Sequence, residues 1–338
     1  MLLLLLLLLP TDAKAKAAMA LVRTFVSSLC PNAKWIDKNP PTRVVQIEAT
    51  QVKKYKITLN VYEPPAGSAA PGGPVLINWF GSSFVFNSFW GSSAAFCARI
   101  SQDLGITVVD ASYPQAPENP YPQALHCAID VINYVASDPS FGSPQIIALS
   151  GFSSGGNLAL NMASSELATS LGLSAETQAK IKSCSVSCAP VAFHVDTKSK
   201  DPNDDGLPKN IPGLPLGFPA MELFTDCYLF PTTPRTVPSV SPALADPKSF
   251  SKAKITLITA SHDPLRFEGL AMHDALTAAG VDSVHYRAEG VGHAFELQGG
   301  DERIAWSDDS AADSPLAKAR REAYDTMRRR IAESVGKA

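Results

Sequence analysis

The sequence predicts an α/β protein whose core is a mostly parallel, doubly wound sheet flanked by helices, and two observations support this. Largely apolar runs of strand length recur along the chain, as at residues 75–80, 106–110 and 146–149. Segments with the apolar spacing of helices lie between them. A parallel strand that is buried on both faces has no wet side, so a continuous apolar run is typical of it. The alternation of such strands with helices favours a doubly wound sheet.

The amino-terminal half supplies the first strands and helices of this sheet. The predicted elements are, in chain order, a helix at 14–28, strands at 44–49, 54–62 and 75–80, a helix at 94–104, a strand at 106–110 and a helix at 119–136. In the strand at 54–62, Tyr55, Ile57 and Leu59 alternate with polar residues. This alternation is typical of an antiparallel strand with one face in water. We therefore expect an antiparallel edge pair between residues 44 and 62.

The carboxy-terminal half interrupts this pattern once. A strand is predicted at 184–193, and after it residues 196–248 are rich in proline, aspartate and glycine, with one apolar stretch at 218–230. A long irregular segment within a compact domain is typical of a lid or a binding loop. Regular elements return as strands at 254–260 and 283–288 and helices at 267–279 and 317–335.

The composition is that of an ordinary globular protein and argues against some partners. Of 338 residues, 45% are hydrophobic and 18% are charged, which suits one large core with an inserted cap as well as two domains. The formal net charge is −3 and no basic face stands out, so we expect no nucleic-acid partner. The six cysteines lack the spacing of a disulfide framework or a metal site, so we expect buried free thiols. A homodimer is left open.

The amino terminus carries a run of leucines from Leu2 to Leu9, followed by Pro10. The run is too short to cross a bilayer as a helix, so we expect no stable membrane span. It is long enough for the apolar part of a signal peptide, with residues 13–15 as a cleavage site, but no basic residue precedes it. We expect a cytoplasmic protein, with secretion or the endoplasmic reticulum as the alternative, and leave segment 1–12 unassigned.

A serine motif lies between the strand at 146–149 and a helical apolar pattern. Residues 151–155 match G-x-S-x-G, in which a serine on a sharp strand-to-helix turn holds its hydroxyl above the sheet. The flanking positions have to be glycine because the turn leaves no room for a Cβ. Glycines lie two residues before and two after Ser153, but not around Ser154. Ser153 is therefore the predicted nucleophile.

Two further loops supply a candidate acid and a candidate base. Asp263 follows the strand at 254–260, and His293 follows the strand at 283–288. Loops at the carboxyl ends of parallel strands gather at one edge of the sheet, where open α/β sheets bind ligands. His262 is a rival base, but it is adjacent to Asp263 and points away when Asp263 points in. The chain order of nucleophile, acid and histidine fits a known class of serine hydrolases.

These three residues predict acyl-transfer chemistry. His293 would accept the proton of Ser153 as its hydroxyl attacks a carbonyl carbon, and would return that proton to the leaving group. Asp263 would hold the tautomer of the imidazole and stabilise its charged form. The sequence thus predicts a serine carboxylic-ester hydrolase that needs no cofactor and no metal ion. Amide or lactam hydrolysis with the same triad, and ligand binding without hydrolysis, are the alternatives.

Four separated motifs between residues 74 and 295 carry a resemblance to a known family. They lie at 113–122 (Y-R-L-A-P-E-x-P-x-P in the family), 153–157 (S-A-G-G-N), 263–269 (D-P-L-R-D-E-G) and 292–295 (the histidine loop). The chain resembles the hormone-sensitive-lipase branch of the α/β-hydrolases, a family of carboxylesterases. The resemblance implies an α/β-hydrolase fold, with a catalytic domain at 41–195 and 249–338 and a cap made of residues 13–40 and 196–248.

The chain departs from this family in the loop that follows the strand at 75–80. The family has H-G-G-G there, whereas residues 80–83 of this chain are Phe-Gly-Ser-Ser. Backbone donors require no particular side chain, so we expect the N–H groups of Gly81, Ser82 and Ser154 to bind the developing oxyanion. A serine that replaces a glycine with positive φ would distort the loop.

Aromatic side chains of the predicted cap, Phe218, Phe224, Tyr228 and Phe230, indicate a bulky apolar substrate. Phe84, Phe152 and Phe224 are the predicted substrate contacts. The partner is then a small-molecule ester that is medium-sized or bulky and apolar. By resemblance, an acetylated or polyketide-type natural-product intermediate is a candidate, and we expect slow turnover of short acetyl esters.

Overall fold

The structure is a computed structural model, and it describes most of the predicted catalytic core. The residues it describes are 19–20, 23–24, 33–65, 67, 72–200, 211–213, 217–229, 233–297 and 314–337. The leucine run, Cys30, most of the helix predicted at 14–28 and part of the predicted cap insertion lie outside the described residues. The domain boundaries given above therefore stay a prediction.

Strands and helices alternate along the described chain. The strands are β1 (Arg43–Glu48), β2 (Lys56–Tyr62), β3 (Val75–Trp79), β4 (Thr107–Ala111), β5 (Ile147–Phe152), β6 (Ile181–Ser187), β7 (Lys254–Ala260) and β8 (Ser283–Ala288). The helices with described bounds are α1 (Ala33–Lys38), α2 (Ala94–Leu104), α3 (Gln123–Ser137), α4 (Ser154–Ala163), α5 (Ser165–Ser170), α6 (Ala175–Ala179), α7 (Phe218–Leu229), α8 (Arg266–Ala278) and α9 (Pro315–Val335).

The eight strands form one sheet in the order β1-β2-β4-β3-β5-β6-β7-β8. β2 pairs antiparallel with β1 and β4, and all other neighbouring strands are parallel. The predicted fold class, a mostly parallel sheet flanked by helices, is confirmed.

Two predicted strands differ from the structure in detail. The strand predicted at 184–193 spans Ile181–Ser187 instead, because Cys188 has φ 51° and turns the chain out of the extended conformation. The predicted wet face of the edge pair holds for β1, whose residues alternate between partly buried and exposed. It does not hold for β2, which is buried along most of its length because α2 packs over that face, where Ser101 of α2 donates to Tyr62 O.

Helices cover both faces of the sheet and bury two apolar layers. On one face, side chains of α3 and α4 pack with Ile77 and Leu149 of the central strands. On the other face, side chains of α2 and α9 pack with Leu76 and Ala148. Because the central strands are covered twice, they carry the continuous apolar runs from which the sheet was predicted.

A row of polar side chains crosses the sheet on the face covered by α2 and α9. Six adjacent strands each place one buried residue in register, and these are Asn60, Asp110, Asn78, Ser150, Ser185 and Thr256. Ser150 Oγ donates to Asn78 Oδ1 at 2.8 Å, and Asn78 Nδ2 donates to Asp110 Oδ1 at 2.7 Å. Burial raises the pKa of Asp110 from 3.8 to about 7, although the hydrogen bond from Asn78 lowers it.

The Asp110→Asn variant should lack a pH dependence of stability that wild type shows. Because the pKa of Asp110 is higher in the folded state than in the unfolded state, this carboxyl destabilises the fold as pH rises from 3.8 to about 7. Wild type should lose roughly 2–4 kcal/mol of unfolding free energy from this group between about pH 4 and about pH 8. Urea unfolding of both proteins at the two pH values measures the difference. Equal losses in the two proteins would contradict this protonation state.

Other expectations concern the thiols and the membrane. Five cysteines in the described chain are buried and free, which confirms the prediction for them, and they are Cys97, Cys127, Cys184, Cys188 and Cys227. None of the helices that the structure describes combines the length and the apolarity needed to cross a bilayer.

Candidate active site

Ser153 lies on a sharp turn between β5 and α4, where it is the N-cap residue of the helix. Its backbone has φ 49° and ψ −121°, a conformation that few L-residues adopt. The turn is anchored on both sides. Ser153 N–H donates to Ser187 O at 2.8 Å, and Ser153 O accepts from Gly156 N–H at 2.9 Å. The anchored turn holds the side chain at the carboxyl end of β5, where the motif predicts it.

The glycines on either side of Ser153 are required by close backbone packing. A Cβ on Gly155 would overlap the carbonyl oxygen of Trp79 on β3, and a Cβ on Gly151 would overlap the carbonyl oxygen of Gly155. The predicted reason for these glycines, the lack of room for a Cβ, is confirmed. The backbone of the turn therefore packs directly against β3.

The Gly155→Ala variant should be destabilised by about 3 kcal/mol or more, because the added methyl group meets backbone that cannot move aside. Gly217→Ala is the matched control, since a Cβ on Gly217 meets no atom within 4 Å, and it should stay within about 0.5 kcal/mol of wild type. Chemical denaturation of the three proteins measures both values. Equal stability of Gly155→Ala and wild type would contradict the packing described for the turn.

The three predicted catalytic side chains form one hydrogen-bonded chain. His293 Nδ1 lies 2.8 Å from Asp263 Oδ2, and His293 Nε2 lies 3.0 Å from Ser153 Oγ. Leu265 N–H donates to the other carboxylate oxygen of Asp263 at 3.0 Å, which fixes its orientation. Because the carboxylate accepts from Nδ1–H, Nε2 is free to accept the hydroxyl proton. All three side chains are buried, with Ser153 the most exposed of them at 8%.

The surroundings of His293 set its proton affinity. Burial alone would lower the pKa of His293, but the charge and hydrogen bond of Asp263, with the charges of Glu296 and Glu268, outweigh it and raise the pKa above 6.5. The rival base, His262, bonds through Nδ1 to its neighbour Ser261 at 2.6 Å instead. His293 is thus the histidine that the structure places against the serine.

The loop after β3 carries the predicted oxyanion donors and two strained residues. Ser83 and Phe84 have φ 52° and 62°, so a serine holds a left-handed backbone where the related family has glycine, at a cost of about 1–2 kcal/mol. In the described chain, the N–H groups of Gly81, Ser83 and Ser154 have no hydrogen-bond partner. By contrast, Ser82 N–H donates to Ser154 Oγ at 2.8 Å. The predicted donors are therefore not equivalent.

An apolar pocket opens beside Ser153. Two of the three predicted substrate contacts, Phe84 and Phe224, line it. The other apolar residues that line it are Pro190, Phe193, Met221, Tyr228 and Leu265. The ring of Phe84 stacks on that of Tyr228, with centroids 3.7 Å apart and planes inclined by 4°. The walls thus present flat aromatic surface close to the nucleophile.

Phe152, the third predicted substrate contact, lies away from this pocket. Its ring packs edge-on against Phe96 of α2, with centroids 5.1 Å apart, and it does not line the pocket. β5 continues through Phe152, so this side chain points to the same face of the sheet as Ala148. That face is covered by α2 and α9.

The charged groups at the pocket are already paired. The Lys200 ammonium forms a buried ion pair with Glu268 and donates to Ala192 O at 2.8 Å. Arg235 donates to Glu222 at 2.7 Å. Arg235 also lies 3.4 Å from Asp226, so both cations that line the pocket already have carboxylate partners, which favours an uncharged ligand.

Sequence reasoning missed two buried groups behind the triad. Cys188 Sγ lies within 4.8 Å of ligand atoms of both Asp263 and His293, and burial raises the pKa of its thiol. In the described chain this is the one group of His, Cys, Asp or Glu side chains spaced for a metal ion, and its histidine and aspartate already bond each other. Burial also raises the pKa of Glu296 to about 7. Glu296 follows His293 by three residues, so the sequence could have placed it near the triad. No sequence pattern places Cys188 there.

Comparison with known proteins agrees with this geometry. A family model described as alpha/beta hydrolase fold matches residues 76–297. Ethyl acetate hydrolase of Pseudomonas putida is 27% identical over 77% of each chain, and carboxylesterase NlhH of Mycobacterium tuberculosis is 31% identical over 67% of this chain and 66% of its own. A solved esterase of Pyrobaculum calidifontis superposes with a TM-score of 0.70 at 25% identity, covering 94% of this chain and 92% of that one. The chain therefore belongs to the alpha/beta-hydrolase family, in its hormone-sensitive-lipase-like branch, and is a hydrolase that acts on ester bonds.

Proposed function

We propose that this chain is a serine carboxylic-ester hydrolase that works through Ser153, His293 and Asp263 and an acyl-enzyme, on a medium-sized or bulky apolar ester. The observation that carries the proposal is the unbroken hydrogen-bonded chain from Asp263 to Ser153, which ends beside an aromatic pocket. Within this class, an acetylated or polyketide-type natural-product intermediate fits the apolar walls.

Acylation follows from the positions of the three side chains. Ser153 Oγ attacks the ester carbonyl carbon while His293 Nε2, 3.0 Å away, takes its proton. Asp263 stabilises the imidazolium that forms. The tetrahedral intermediate collapses as the imidazolium protonates the leaving alcohol, so the C–O bond of the ester breaks and the acyl group stays on Ser153. Water then attacks the acyl-enzyme with His293 as base again, which releases the carboxylic acid and restores the serine.

The developing oxyanion needs donors on the opposite side of the carbonyl. We assign this role to Ser154 N–H, the first amide of α4, together with the amides of Gly81 and Ser83, because the third predicted donor, Ser82 N–H, is bonded to Ser154 Oγ. Gly81 packs against the nucleophile turn, since a Cβ there would lie 3.1 Å from Ser153 Cβ. This closeness supports the loop amides as donors.

The bonded triad argues against the alternative of ligand binding without hydrolysis. A binding protein has no need for a strained serine whose hydroxyl is bonded to a histidine and through it to a buried carboxylate. Holding Ser153 at φ 49° costs about 1–3 kcal/mol, which a purely structural turn would not require.

The experiment that tests the proposal is a series of 4-nitrophenyl esters from acetate through butyrate and octanoate to benzoate. We expect kcat/KM to be lowest for acetate, because a short acyl group leaves the aromatic walls uncovered. Fastest turnover of acetate would contradict a bulky acyl group, and the bulk would then have to lie in the alcohol, as in an acetylated intermediate. Binding of the longer esters without release of nitrophenol would favour the binding protein, and turnover of matched anilides alone would favour an amidase.

A further inference from the structure

A chain of buried hydrogen bonds ties the oxyanion loop to the residue after the nucleophile. Ser82 N–H donates to Ser154 Oγ at 2.8 Å. Ser154 Oγ lies 2.9 Å from the hydroxyl of Tyr113, and that hydroxyl donates to Phe80 O at 2.7 Å. The side chain of Ser82 lies alongside, where its hydroxyl donates to Gln115 Oε1 at 2.8 Å and its oxygen lies 2.9 Å from the Tyr113 hydroxyl. The side chains of this group are all more than nine-tenths buried.

Counting hydrogens gives this chain one direction. The phenol of Tyr113 has a single hydrogen, which goes to Phe80 O because a carbonyl oxygen can only accept. The Ser82 hydroxyl hydrogen goes to Gln115 Oε1, so the phenol oxygen accepts the hydroxyl hydrogen of Ser154. The Ser154 oxygen in turn accepts Ser82 N–H. Buried hydrogen bonds arranged head to tail strengthen one another, so Ser82 N–H is firmly held.

The Ser82 amide lies where the reaction needs donors. Gly81, the residue before it, packs on the Cβ of Ser153, and Ser83, the residue after it, lines the same pocket as Ser153. The Ser82 N–H is nevertheless turned onto the Ser154 side chain. In the S-A-G-G-N turn that this chain resembles, alanine stands at the position of Ser154 and has no oxygen to accept that hydrogen.

We propose that the Ser154 hydroxyl withholds the Ser82 N–H from the oxyanion, so that this site works with one amide fewer than its loop could supply. The inference rests on the proposed esterase function and deepens it. Ser154 is then a positioning residue that limits the rate of the chemical step. The loss of one donor should slow the hydrolysis of short acetyl esters most, because these esters gain little binding energy in the pocket.

Ser154→Ala should raise kcat for 4-nitrophenyl acetate by about tenfold, with KM within about twofold of wild type. A fully aligned oxyanion donor is worth about a hundredfold or more, and we expect part of that because the amide has to turn. Inhibition by a trifluoromethyl ketone, whose adduct with Ser153 carries an oxyanion, should strengthen by a similar factor. A purely structural change would not tighten this inhibitor. An unchanged or lower kcat, with unchanged inhibition, would overturn the proposal.

Two further variants test whether the effect comes from the Ser154 hydroxyl itself or from the groups around it. Ser82→Ala removes a neighbouring hydroxyl but keeps the bond from Ser82 N–H to Ser154 Oγ, so kcat should not rise. Ser154→Cys keeps a side chain of similar shape with a weaker acceptor, so kcat should rise less than with alanine, and it decides the matter if the alanine variant does not fold. A wild type that hydrolyses no ester refutes the proposed function. An active wild type without a gain in either Ser154 variant refutes the withheld amide alone.

Discussion

The Ser153→Ala variant should hydrolyse 4-nitrophenyl butyrate about a millionfold more slowly than wild type, because no other group can carry the acyl intermediate. The substitution removes one oxygen from a buried turn whose backbone anchors, to Ser187 O and from Gly156 N–H, stay in place. The variant should therefore fold like wild type. Steady-state kinetics and thermal unfolding measure the two effects.

A fluorophosphonate probe supplies the control for this variant. Wild type should be labelled at Ser153, and Ser153→Ala should not be labelled. Ser137→Ala is the matched variant, since its exposed hydroxyl donates only to Asn133 O within α3, and it should be labelled like wild type. Labelling of Ser153→Ala at the rate of wild type would remove Ser153 from the role of nucleophile.

The Asp263→Asn variant should lose about ten-thousandfold in kcat. Asp263 Oδ2 accepts from His293 Nδ1 at 2.8 Å, which leaves Nε2 free to accept the Ser153 proton. An asparagine that turns its NH2 group toward Nδ1 would favour the opposite tautomer, in which Nε2 carries the hydrogen and cannot act as a base. Kinetics of the variant beside Asp325→Asn, an exposed carboxylate on α9 that should have no effect, measure the loss.

The pH profile of the Asp263→Asn variant tests the reason for that loss. In wild type the pKa of His293 is raised above 6.5, and the imidazole has to be neutral to act as a base. The kcat/KM of wild type should therefore rise with pH through a pKa above 6.5. Removing the charge of Asp263 removes the largest influence that raises this pKa, so the acid limb of the variant should move to lower pH. An unmoved limb would contradict the electrostatic role of Asp263.

The sheet and the chain order of the triad could be predicted because local sequence patterns indicate both. Parallel strands that are covered on both faces have continuous apolar runs in the sequence. The loops after β5, β7 and β8 necessarily lie at one edge of a parallel sheet. Ser153, Asp263 and His293 follow these three strands, so their nearness needed only the strand assignments. The glycines around Ser153 added the sharp turn.

The details that the sequence could not supply depend on side-chain direction and on contacts between distant segments. Placing the end of β5 at Leu149 leaves the direction of Phe152 undetermined, whereas extending the strand to Phe152 puts it on the face of Ala148 by alternation. The bond from Ser82 N–H to Ser154 Oγ joins residues 72 positions apart, and no local pattern encodes it. The closeness of Cys188 to Asp263 and His293 likewise joins distant segments of the chain, so no local pattern predicts it.

Because of the close backbone packing at Gly155, the position of the nucleophile does not depend on the pocket side chains that set acyl preference. The nucleophile is held by main-chain contacts with β3 and β6, which substitutions of pocket side chains leave intact. The side chains that line the pocket, such as Phe84 and Phe224, lie on a loop and on α7, outside those contacts. Directed evolution of acyl preference in this scaffold can therefore change wall residues on α7, such as Phe224, while the backbone that holds the nucleophile stays in place.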